Sequence, residues 1–348
     1  MTSLTSITSF SPATACTQRD FGEPDAAGTR CRNRYKARTT GKHKRRWYTN
    51  RFSLKTDVLQ VFAILICFGA YTPVIAAPDE ELWTFWDAHN PLSEAVIDHA
   101  PWQLLLDKYL RGHPDGTTRV AYQTFSAEDR RSLAAYLDYL QSQLPRKLRR
   151  DEQFAYWVNL YNAQTVAVVL AHPNKSSILR MGDGWLPRGP WDDKSLTIEQ
   201  QNVSLNDIEH RILRPIWRDH RIHFVVNCAS LGCPNLPPQV FTGRNMAAML
   251  SDAEQAFLQQ PKALAWNDDG ELMLSSLFDW YQQDFAANET TLLAFLAARL
   301  PRHKDALLSY RGRLQYRYDW RLNGSAEKPS NSASYFSGFR PDPRNRLY

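Results

Sequence analysis

The spacing of apolar residues predicts a chain that is mostly helical between residues 78 and 323. Apolar positions recur every three or four residues across 80–109, which is the period of an amphipathic helix. The same period predicts further helices at 126–144, 153–171, 204–213, 246–258, 277–285 and 290–300. Of these, 153–171 is apolar on nearly every side, so we expect it to be a buried central helix.

Few segments have the features of strands. Residues 221–227 alternate and are rich in β-branched residues, which predicts a buried strand. Shorter strands are predicted at 195–198, near the end of a long ordered loop (172–203), and at 271–274 and 314–322. Because these strands are scattered among helices, the predicted fold class is α+β, a helix-rich single domain (78–323) with a small, mostly antiparallel sheet.

The amino-terminal part of the chain differs in character from the rest. Residues 1–52 are polar and basic and show no helical or strand periodicity. We interpret this leader as the result of a start codon assigned too far upstream. The less favoured interpretation is an organelle transit segment. In 53–77, Lys55 precedes a short apolar run and small residues, which is the order of a secretory signal peptide. We expect an exported protein, periplasmic or extracellular; the alternative is a membrane anchor formed by the uncleaved signal.

Charge is concentrated in the leader. Residues 1–55 contain 12 Lys and Arg against 3 Asp and Glu, whereas residues 78–348 contain 30 against 32. A nearly neutral folded part has no basic stripe for a phosphate backbone, so we expect no nucleic-acid partner. Contact with a membrane is expected only through an uncleaved signal segment. Residues 324–348 are polar and predict a disordered tail.

Removal of the signal segment would leave two cysteines, Cys228 and Cys233, just after the predicted strand 221–227. A thiolate at Cys228, assisted by a histidine, would be a nucleophile. A disulfide between the two cysteines would be a structural staple in an oxidising compartment. Both cysteines together with His210 or His223 would form a metal site, although C-x4-C is not the usual C-x2-C spacing of zinc ligands.

Two predicted helices carry polar groups that suit a site. In the helix 204–213, Glu209 and His210 are adjacent and point about 100° apart, so we expect that they do not both face the core. One of them is expected to face a cleft, as a metal ligand or as a base with its orienting partner. On the central helix, Asn159 and Asn162 lie one turn apart; each either ties a loop to the helix or orients a substrate.

Five sequence blocks, in this order, resemble a known family. They read FAYWVNLYNA, SLNDIEHRILRPIW, DHRIHFVVNCASLGCPNL, LFDWYQQDF and YDWRLN, and they resemble the domain of unknown function 547 family over about 153–323. The family has no agreed activity and spans bacterial exported proteins and plant proteins with coiled-coil or glutaredoxin-like modules. His220 departs from the family pattern, which usually has proline there. The resemblance marks these motif positions: Asn159, Asn162, Asp207, Glu209, His210, Arg214, Arg221, His223, Cys228 and Cys233.

These features support three hypotheses about function. The first is an exported thiol-dependent hydrolase or transferase, in which four residues converge on one cleft: Cys228, His223, His210 and Glu209. Asn159 is a further catalytic candidate. The second is a non-catalytic domain that binds a peptide or protein and is stapled by a Cys228–Cys233 disulfide. The third is a metal site drawn from His210, His223, Cys228 and Cys233; the sequence requires no cofactor. Structural roles are expected for Asn162, Asp207, Arg214, Arg221 and Cys233.

Overall fold

Helices make up about half of the chain that the structure describes, and strands are few, as the apolar spacing predicts. The computed structural model describes residues 78–182 and 188–324. A π-helix spans Asp207–Leu213. The α-helices are α1 (Ala100–Tyr109), α2 (Ala127–Gln141), α3 (Arg150–Ala171), α4 (Arg214–Trp217), α5 (Met246–Leu258), α6 (Leu277–Trp280), α7 (Gln282–Phe285), α8 (Glu289–Arg299) and α9 (Lys304–Ser309).

The strands in these ranges form two hairpins and one three-stranded sheet. The hairpins are β1 (Leu110–Gly112) with β2 (Thr118–Val120), and β3 (Leu196–Ile198) with β4 (Gln201–Val203). The sheet has the order β5 (Leu264–Trp266), β6 (Leu272–Ser275), β7 (Gln315–Arg317). Every pair is antiparallel except β6–β7, which is parallel. The predicted fold class, helix-rich α+β with small and mostly antiparallel sheets, is therefore confirmed.

Helix α3 forms the centre of the fold. Every residue from Glu152 to Val166 is buried, because the helix is apolar on nearly all sides and α2 and the π-helix pack against it. The rings of Phe154, Tyr156 and Trp157 are completely shielded from solvent. The prediction of a buried central helix is confirmed.

A second cluster of buried apolar residues lies among α5, α8 and the strands β5–β7. Phe224 belongs to this cluster, whereas Ile222 and Val225 pack into the larger cluster around α3. The segment that leads to Cys228 is therefore enclosed between two apolar cores.

The predicted strand 221–227 is wrong. The chain forms a 3₁₀ helix, His220–Phe224, and then turns, with the Val225 N–H bonded to the Ile222 carbonyl at 3.1 Å. Every residue from Ile222 to Asn227 is buried, so the alternation does not separate two faces. A short apolar run has the same periodicity whether it forms a buried strand or a buried turn. Here its side chains pack into both apolar cores, and the segment forms a turn rather than a strand.

Other boundaries also differ from the predictions. Residues 80–109 are not one helix: a 3₁₀ helix covers Thr84–Asp87, and α1 begins only at Ala100, after a stretch containing Pro91. The predicted helix 277–285 is divided into α6 and α7. The predicted final strand is shorter, since β7 is the only strand within 314–322.

The leader (1–52), the signal-like segment (53–77) and all of the tail except Gly324 lie outside the described residues. Their boundaries therefore stay predictions. The described residues belong to one compact unit, 73–348. Within them, the structure contains no helix with the length and apolar character needed to cross a bilayer.

Two buried asparagines attach other segments to α3. Asn159 donates from Nδ2 to the Phe241 carbonyl at 2.8 Å and accepts the Phe241 N–H at 3.1 Å. Asn162 donates to the Val225 carbonyl at 2.9 Å and accepts the Asn227 N–H at 2.8 Å. The prediction that both amides are buried and paired is confirmed. Because Phe241 occupies both ends of the Asn159 amide, this residue ties a loop to α3.

Replacing Asn159 with Leu should destabilise the fold. The N–H and the carbonyl of Phe241 would both lose buried partners, at a cost of about 1–3 kcal/mol each. We expect the free energy of unfolding, measured by urea denaturation, to fall by about 2–5 kcal/mol. Asn174 is exposed, so Asn174→Leu is a matched control with an expected change below about 0.5 kcal/mol. Equal stability of the two variants would contradict this role.

Candidate functional site

His223 lies between two carboxylates in a buried cluster. Its Nε2 is 2.6 Å from Asp284 Oδ2, and its Nδ1 is 3.5 Å from Glu209 Oε1. The 3₁₀ helix His220–Phe224 supplies the histidine, α7 supplies Asp284, and the π-helix supplies Glu209. The ring of Tyr281 stacks on the imidazole with a centroid separation of 3.9 Å. Three elements distant in sequence thus meet around one imidazole.

Arg214 completes this cluster, which we call the histidine cluster. Its Nε and Nη2 donate to the two oxygens of Asp284 at 2.7 and 3.0 Å, in the bidentate geometry that favours arginine. Its Nη1 donates to the Pro78 carbonyl at 3.1 Å and lies 3.1 Å from His210 Nδ1. A buried ion pair is stable only with such complete hydrogen bonding, so we assign Arg214 to holding the cluster together.

Glu209 and His210 are both buried, at 6% and 3% exposure. The expectation that they do not both face the core is therefore wrong. On one side α3 brings Tyr161, whose hydroxyl donates to Glu209 Oε2 at 3.0 Å. On another side the amino-terminal segment covers the π-helix, with the Glu81 N–H bonded to the His210 carbonyl at 3.1 Å. A helix covered on several sides can bury adjacent residues together.

The pKa values of Glu209 and His210 are both lowered, so both groups are deprotonated at neutral pH. Burial raises the pKa of Glu209, but the nearby His210 and His223 and the Tyr161 hydroxyl outweigh it and lower that pKa to about 2. Burial lowers the pKa of His210 to about 4, with Glu209 opposing and Arg214 assisting. At neutral pH His210 is therefore uncharged, and the contacts with Tyr161 and His223 keep Glu209 ionised.

Asp284 is also held in its charged form. Burial raises the pKa of its carboxyl group, but hydrogen bonds from His223 and Arg214 keep that pKa well below its usual range. The histidine cluster therefore contains one buried carboxylate, Glu209, and one half-buried carboxylate, Asp284, and both are ionised at neutral pH.

Cys228 lies in a separate turn, where its sulfur contacts two hydroxyl groups. Its Sγ is 3.0 Å from Tyr318 Oη and 3.2 Å from Ser230 Oγ. The Cys228 N–H donates to Cys233 Sγ at 3.0 Å, and both cysteines are free thiols in this structure. Among the described residues, no histidine hydrogen-bonds to the Cys228 sulfur. Cys228 is partly exposed, whereas Cys233 is buried.

The two thiols have opposite tendencies to ionise. Burial raises the pKa of Cys228, but hydrogen bonds from Cys233, Ser230 and Tyr318 outweigh it and lower that pKa to about 7. Burial and the hydrogen bond to Cys228 raise the pKa of Cys233 well above its ordinary value. The partly exposed sulfur is therefore the one that carries negative charge near neutral pH.

The backbone beside Cys228 is strained. Ala229 has a φ of 58°, in the left-handed region that a residue with a Cβ adopts at a cost of about 1–2 kcal/mol. Its N–H donates to Asn227 Oδ1 at 2.9 Å, and its carbonyl accepts the Asn323 N–H at 3.0 Å. Such strain persists only where the surroundings determine the conformation, and it is typical of functional turns.

Three buried asparagines, Asn162, Asn227 and Asn323, hold this turn, and we call them the amide chain. The Asn227 backbone N–H donates to Asn162 Oδ1 at 2.8 Å, and the Asn227 side chain donates from Nδ2 to the Pro234 carbonyl at 2.7 Å. Asn323 donates from Nδ2 to Asn227 Oδ1 at 3.2 Å and accepts from the Tyr122 hydroxyl at 2.8 Å. The amide chain thus joins α3 to both ends of the Cys228–Cys233 turn.

The histidine cluster and the Cys228 turn are neighbours rather than one site. Burial raises the pKa of Tyr161, and the charges of Glu209 and Cys228 raise it further. The same three causes raise the pKa of Tyr281, with Arg214 opposing. Both tyrosines therefore lie within electrostatic reach of both groups. His210, Glu209 and His223 come together as expected, while Cys228 meets hydroxyl groups instead.

The remaining motif positions contact their own surroundings. Asp207 begins the π-helix, where its Oδ2 accepts the Ser204 N–H at 2.8 Å and also pairs with Lys194. Arg221 forms a forked pair with Asp219, with its Nη2 2.6 Å from Oδ2. These contacts stabilise the local backbone.

Several site residues were not selected from the sequence. Tyr281 and Asp284 occur in the block LFDWYQQDF, and Tyr318 and Asn323 occur in YDWRLN, so family resemblance was the one signal that included them. Asn227 directly precedes Cys228. These residues lie far apart along the chain or look like ordinary loop residues, and only the fold brings them together.

The described residues contain no group of three His, Cys, Asp or Glu side chains placed to hold a metal ion. The candidate ligands are divided instead, with His210 and His223 in the histidine cluster and Cys228 and Cys233 in the turn. The metal hypothesis therefore has no ligand set in this part of the chain.

Fold and site together define a helix-rich α+β protein with a free, partly exposed cysteine near a histidine–carboxylate cluster. Residues 145–258 match the model of the family described as Protein of unknown function, DUF547. This stretch includes α3, the π-helix, both cysteines and α5, and the match confirms the resemblance over the first three sequence blocks; the blocks LFDWYQQDF and YDWRLN lie outside it. No curated protein and no solved structure matches the chain.

Stability should fall as the pH is lowered from about 7 to about 4. The pKa of His210 is about 4 in the fold, below the value of about 6.5 in an unfolded chain. The unfolded chain therefore binds the proton first, and stability is lost across that window. Burial also lowers the pKa of His99 to about 4, so it contributes in the same direction.

His210→Asn keeps an acceptor for Arg214 but removes the titration. Between about pH 7 and about pH 5, the free energy of unfolding should fall by about 1–2 kcal/mol less in this variant than in the wild type, as measured by urea denaturation. His99→Asn is the matched variant outside the cluster, and it should further reduce the decrease in the free energy of unfolding at low pH. A pH dependence that is the same in the wild type and His210→Asn would contradict a neutral, buried His210.

Proposed function

We propose that this protein is a thiol-dependent hydrolase or transferase that uses Cys228 as its nucleophile. The observation that carries the proposal is the setting of Cys228: a free, partly exposed thiol with a pKa of about 7 on a strained turn. A thiol with that pKa is about half ionised at neutral pH, whereas an ordinary thiol is ionised to a few per cent. The thiolate is the form that attacks carbon.

The proposed reaction begins without a histidine base at the sulfur. Hydroxyl groups of Tyr318 and Ser230 stabilise the thiolate before substrate binds. The thiolate attacks a carbonyl carbon, an S–C bond forms, and the leaving group departs with a proton. Water in a hydrolase, or a second nucleophile in a transferase, then takes the acyl group and releases the thiolate.

Tyr318 is the proposed donor of the leaving group's proton. Burial and the charge of Cys228 raise the pKa of Tyr318 well above its ordinary value, so the hydroxyl is protonated in the resting state. When the sulfur becomes acylated, its negative charge disappears, and the Tyr318 hydroxyl becomes a stronger acid. The residue thus provides a proton at the stage at which the reaction needs one.

His223, His210 and Glu209 are proposed as positioning residues. The strongest contact of His223 is with Asp284, at 2.6 Å, and Glu209 accepts from Tyr161. These contacts stiffen the segment that leads into the Cys228 turn. Asn159 is likewise proposed as a structural residue because both ends of its amide are occupied.

The alternative of a non-catalytic peptide- or protein-binding domain is supported by one observation. The Cys228 N–H lies 3.0 Å from Cys233 Sγ, so oxidation would need little movement to join the two cysteines. A thiol titration of the folded mature chain, which begins near Pro78 and keeps only Cys228 and Cys233, separates the proposals: two titratable thiols support catalysis, whereas none supports a stapled domain. A peptide or protein is the ligand class proposed in either case.

The catalytic proposal is tested with p-nitrophenyl acetate. The full chain should release p-nitrophenol and carry an acetyl group on Cys228, located by mass spectrometry, that is then removed in turnover. Cys228→Ser should abolish the acetyl group at this position, and Tyr318→Phe should slow acetylation, because it removes a hydrogen bond that lowers the pKa of Cys228. Cys233→Ser is the matched control and should still be acetylated at Cys228. Turnover by Cys228→Ser at the wild-type rate would contradict the proposal.

We propose further that the protein is exported, with cleavage after the small residues that end at Ala77. The order of basic, apolar and small residues in 53–77 supports this. In cell fractionation, the mature chain should be found in the periplasm or the medium with an amino terminus at or near Pro78. An intact chain in the cytosolic fraction would contradict export, and an intact chain in the membrane fraction would indicate the uncleaved anchor.

A further inference from the structure

A pocket of about 420 Å³ opens beside the Cys228 turn. Its walls come from the β1–β2 hairpin, from Leu231 and Gly232 in the turn, from the segment before β5, and from the chain at and after β7. Six of the lining side chains are charged: Asp115, Arg119, Lys262, Arg317, Asp319 and Arg321. A pocket with this many charged groups is suited to a charged ligand.

The pocket and the proposed nucleophile share a wall. Tyr318 lines the pocket, and its hydroxyl is 3.0 Å from Cys228 Sγ. At Gly232, an added Cβ would come within 2.7 Å of the Asp319 backbone nitrogen, so only glycine lets the turn approach this closely. Lys262 donates from Nζ to the carbonyls of Leu231 and Cys233 in the same turn. A ligand in the pocket is therefore one side chain away from the sulfur.

Two of the four cations in the pocket are neutralised by carboxylates. Arg119 pairs with Asp115 at 2.7 Å, and Arg321 pairs with Asp319 at 2.5 Å. These pairs account for both acidic residues of the lining.

Lys262 and Arg317 are the other two cations, and both donate to carbonyl oxygens. Arg317 Nη2 is 2.6 Å from the Pro261 carbonyl, and Lys262 contacts the turn as described. In the ranges that the structure describes, neither forms an ion pair with a carboxylate. A carbonyl partner leaves the charge uncompensated, so the pocket carries two positive charges in excess.

Lys262 also responds to the charge of the thiolate. Burial lowers the pKa of Lys262 to about 8, while the charges of Cys233, Asp115 and Cys228 oppose this decrease. The ammonium group is thus within electrostatic reach of the Cys228 turn. The negative charge of an anion bound in the pocket would likewise interact with the ammonium group of Lys262.

We propose that this pocket binds a carboxylate group of the substrate through Lys262 and Arg317 and thereby places the neighbouring acyl carbon at Cys228. The inference rests on the proposed function and specifies its substrate class, an acyl compound or peptide that carries a carboxylate near the reacting carbon. The forked donors of arginine suit a carboxylate, and the ammonium group adds a second charge.

The test compares alkylation of Cys228 in the reduced full chain by iodoacetate, which is anionic, and iodoacetamide, which is neutral. The rate at Cys228 is measured by mass spectrometry. The ratio of the iodoacetate rate to the iodoacetamide rate should exceed that of a neutral cysteine derivative by about five-fold or more. Lys262→Gln and Arg317→Gln should each lower the ratio by about three-fold, and added salt should lower it in the wild type.

Lys304→Gln is the matched control, since Lys304 is exposed on α9 and does not line the pocket. It should leave the ratio unchanged, and Lys262→Arg, which keeps the charge, should retain the preference. Fast iodoacetamide reaction without an iodoacetate preference would overturn the carboxylate site and leave the proposed function standing. Slow reaction with iodoacetamide, as for an ordinary thiol, would overturn the proposed function itself. If Lys262→Gln fails to fold, the salt dependence and Arg317→Gln decide the question.

Discussion

The Cys228 turn depends on the buried amide chain that runs from Asn162 on α3 through Asn227 to Asn323. Each unpaired buried amide would cost about 1–3 kcal/mol, so these side chains and the backbone groups they bind fix one another's positions. That mutual constraint maintains the left-handed conformation of Ala229. Because the amides begin on the most buried helix of the fold, the position of the cysteine is set by the core rather than by the loop.

The histidine cluster and the Cys228 turn are two neighbouring groups of polar residues with different roles. The histidine cluster neutralises its charges internally, with Asp284 bonded to both His223 and Arg214. The Cys228 turn instead leaves a thiolate beside two hydroxyl groups and next to an open, positively charged pocket. Buried charge that is fully paired stabilises structure, whereas charge beside an open pocket can react with a ligand. The group best placed to react with a ligand is therefore the Cys228 sulfur.

Local patterns in the sequence identified the features that depend on local geometry. The period of apolar residues found the long helices, and the polar positions within the apolar helix α3 identified Asn159 and Asn162 as buried amides. The strand predicted at 221–227 failed because a buried turn between two cores shows the same short apolar pattern. Partners that come from distant segments, such as Asp284 and Tyr318, have no local signature.

About half of the Cys228 side chains should be thiolates at neutral pH, and the ultraviolet absorbance of the thiolate measures this fraction. The absorbance of the reduced, folded chain is titrated against pH, with Cys228→Ser subtracted as the blank. We expect an inflection near pH 7, because hydrogen bonds from Cys233, Ser230 and Tyr318 lower the pKa of Cys228 to about 7. An inflection at or above about 8.5, the value of an ordinary thiol, would contradict this expectation.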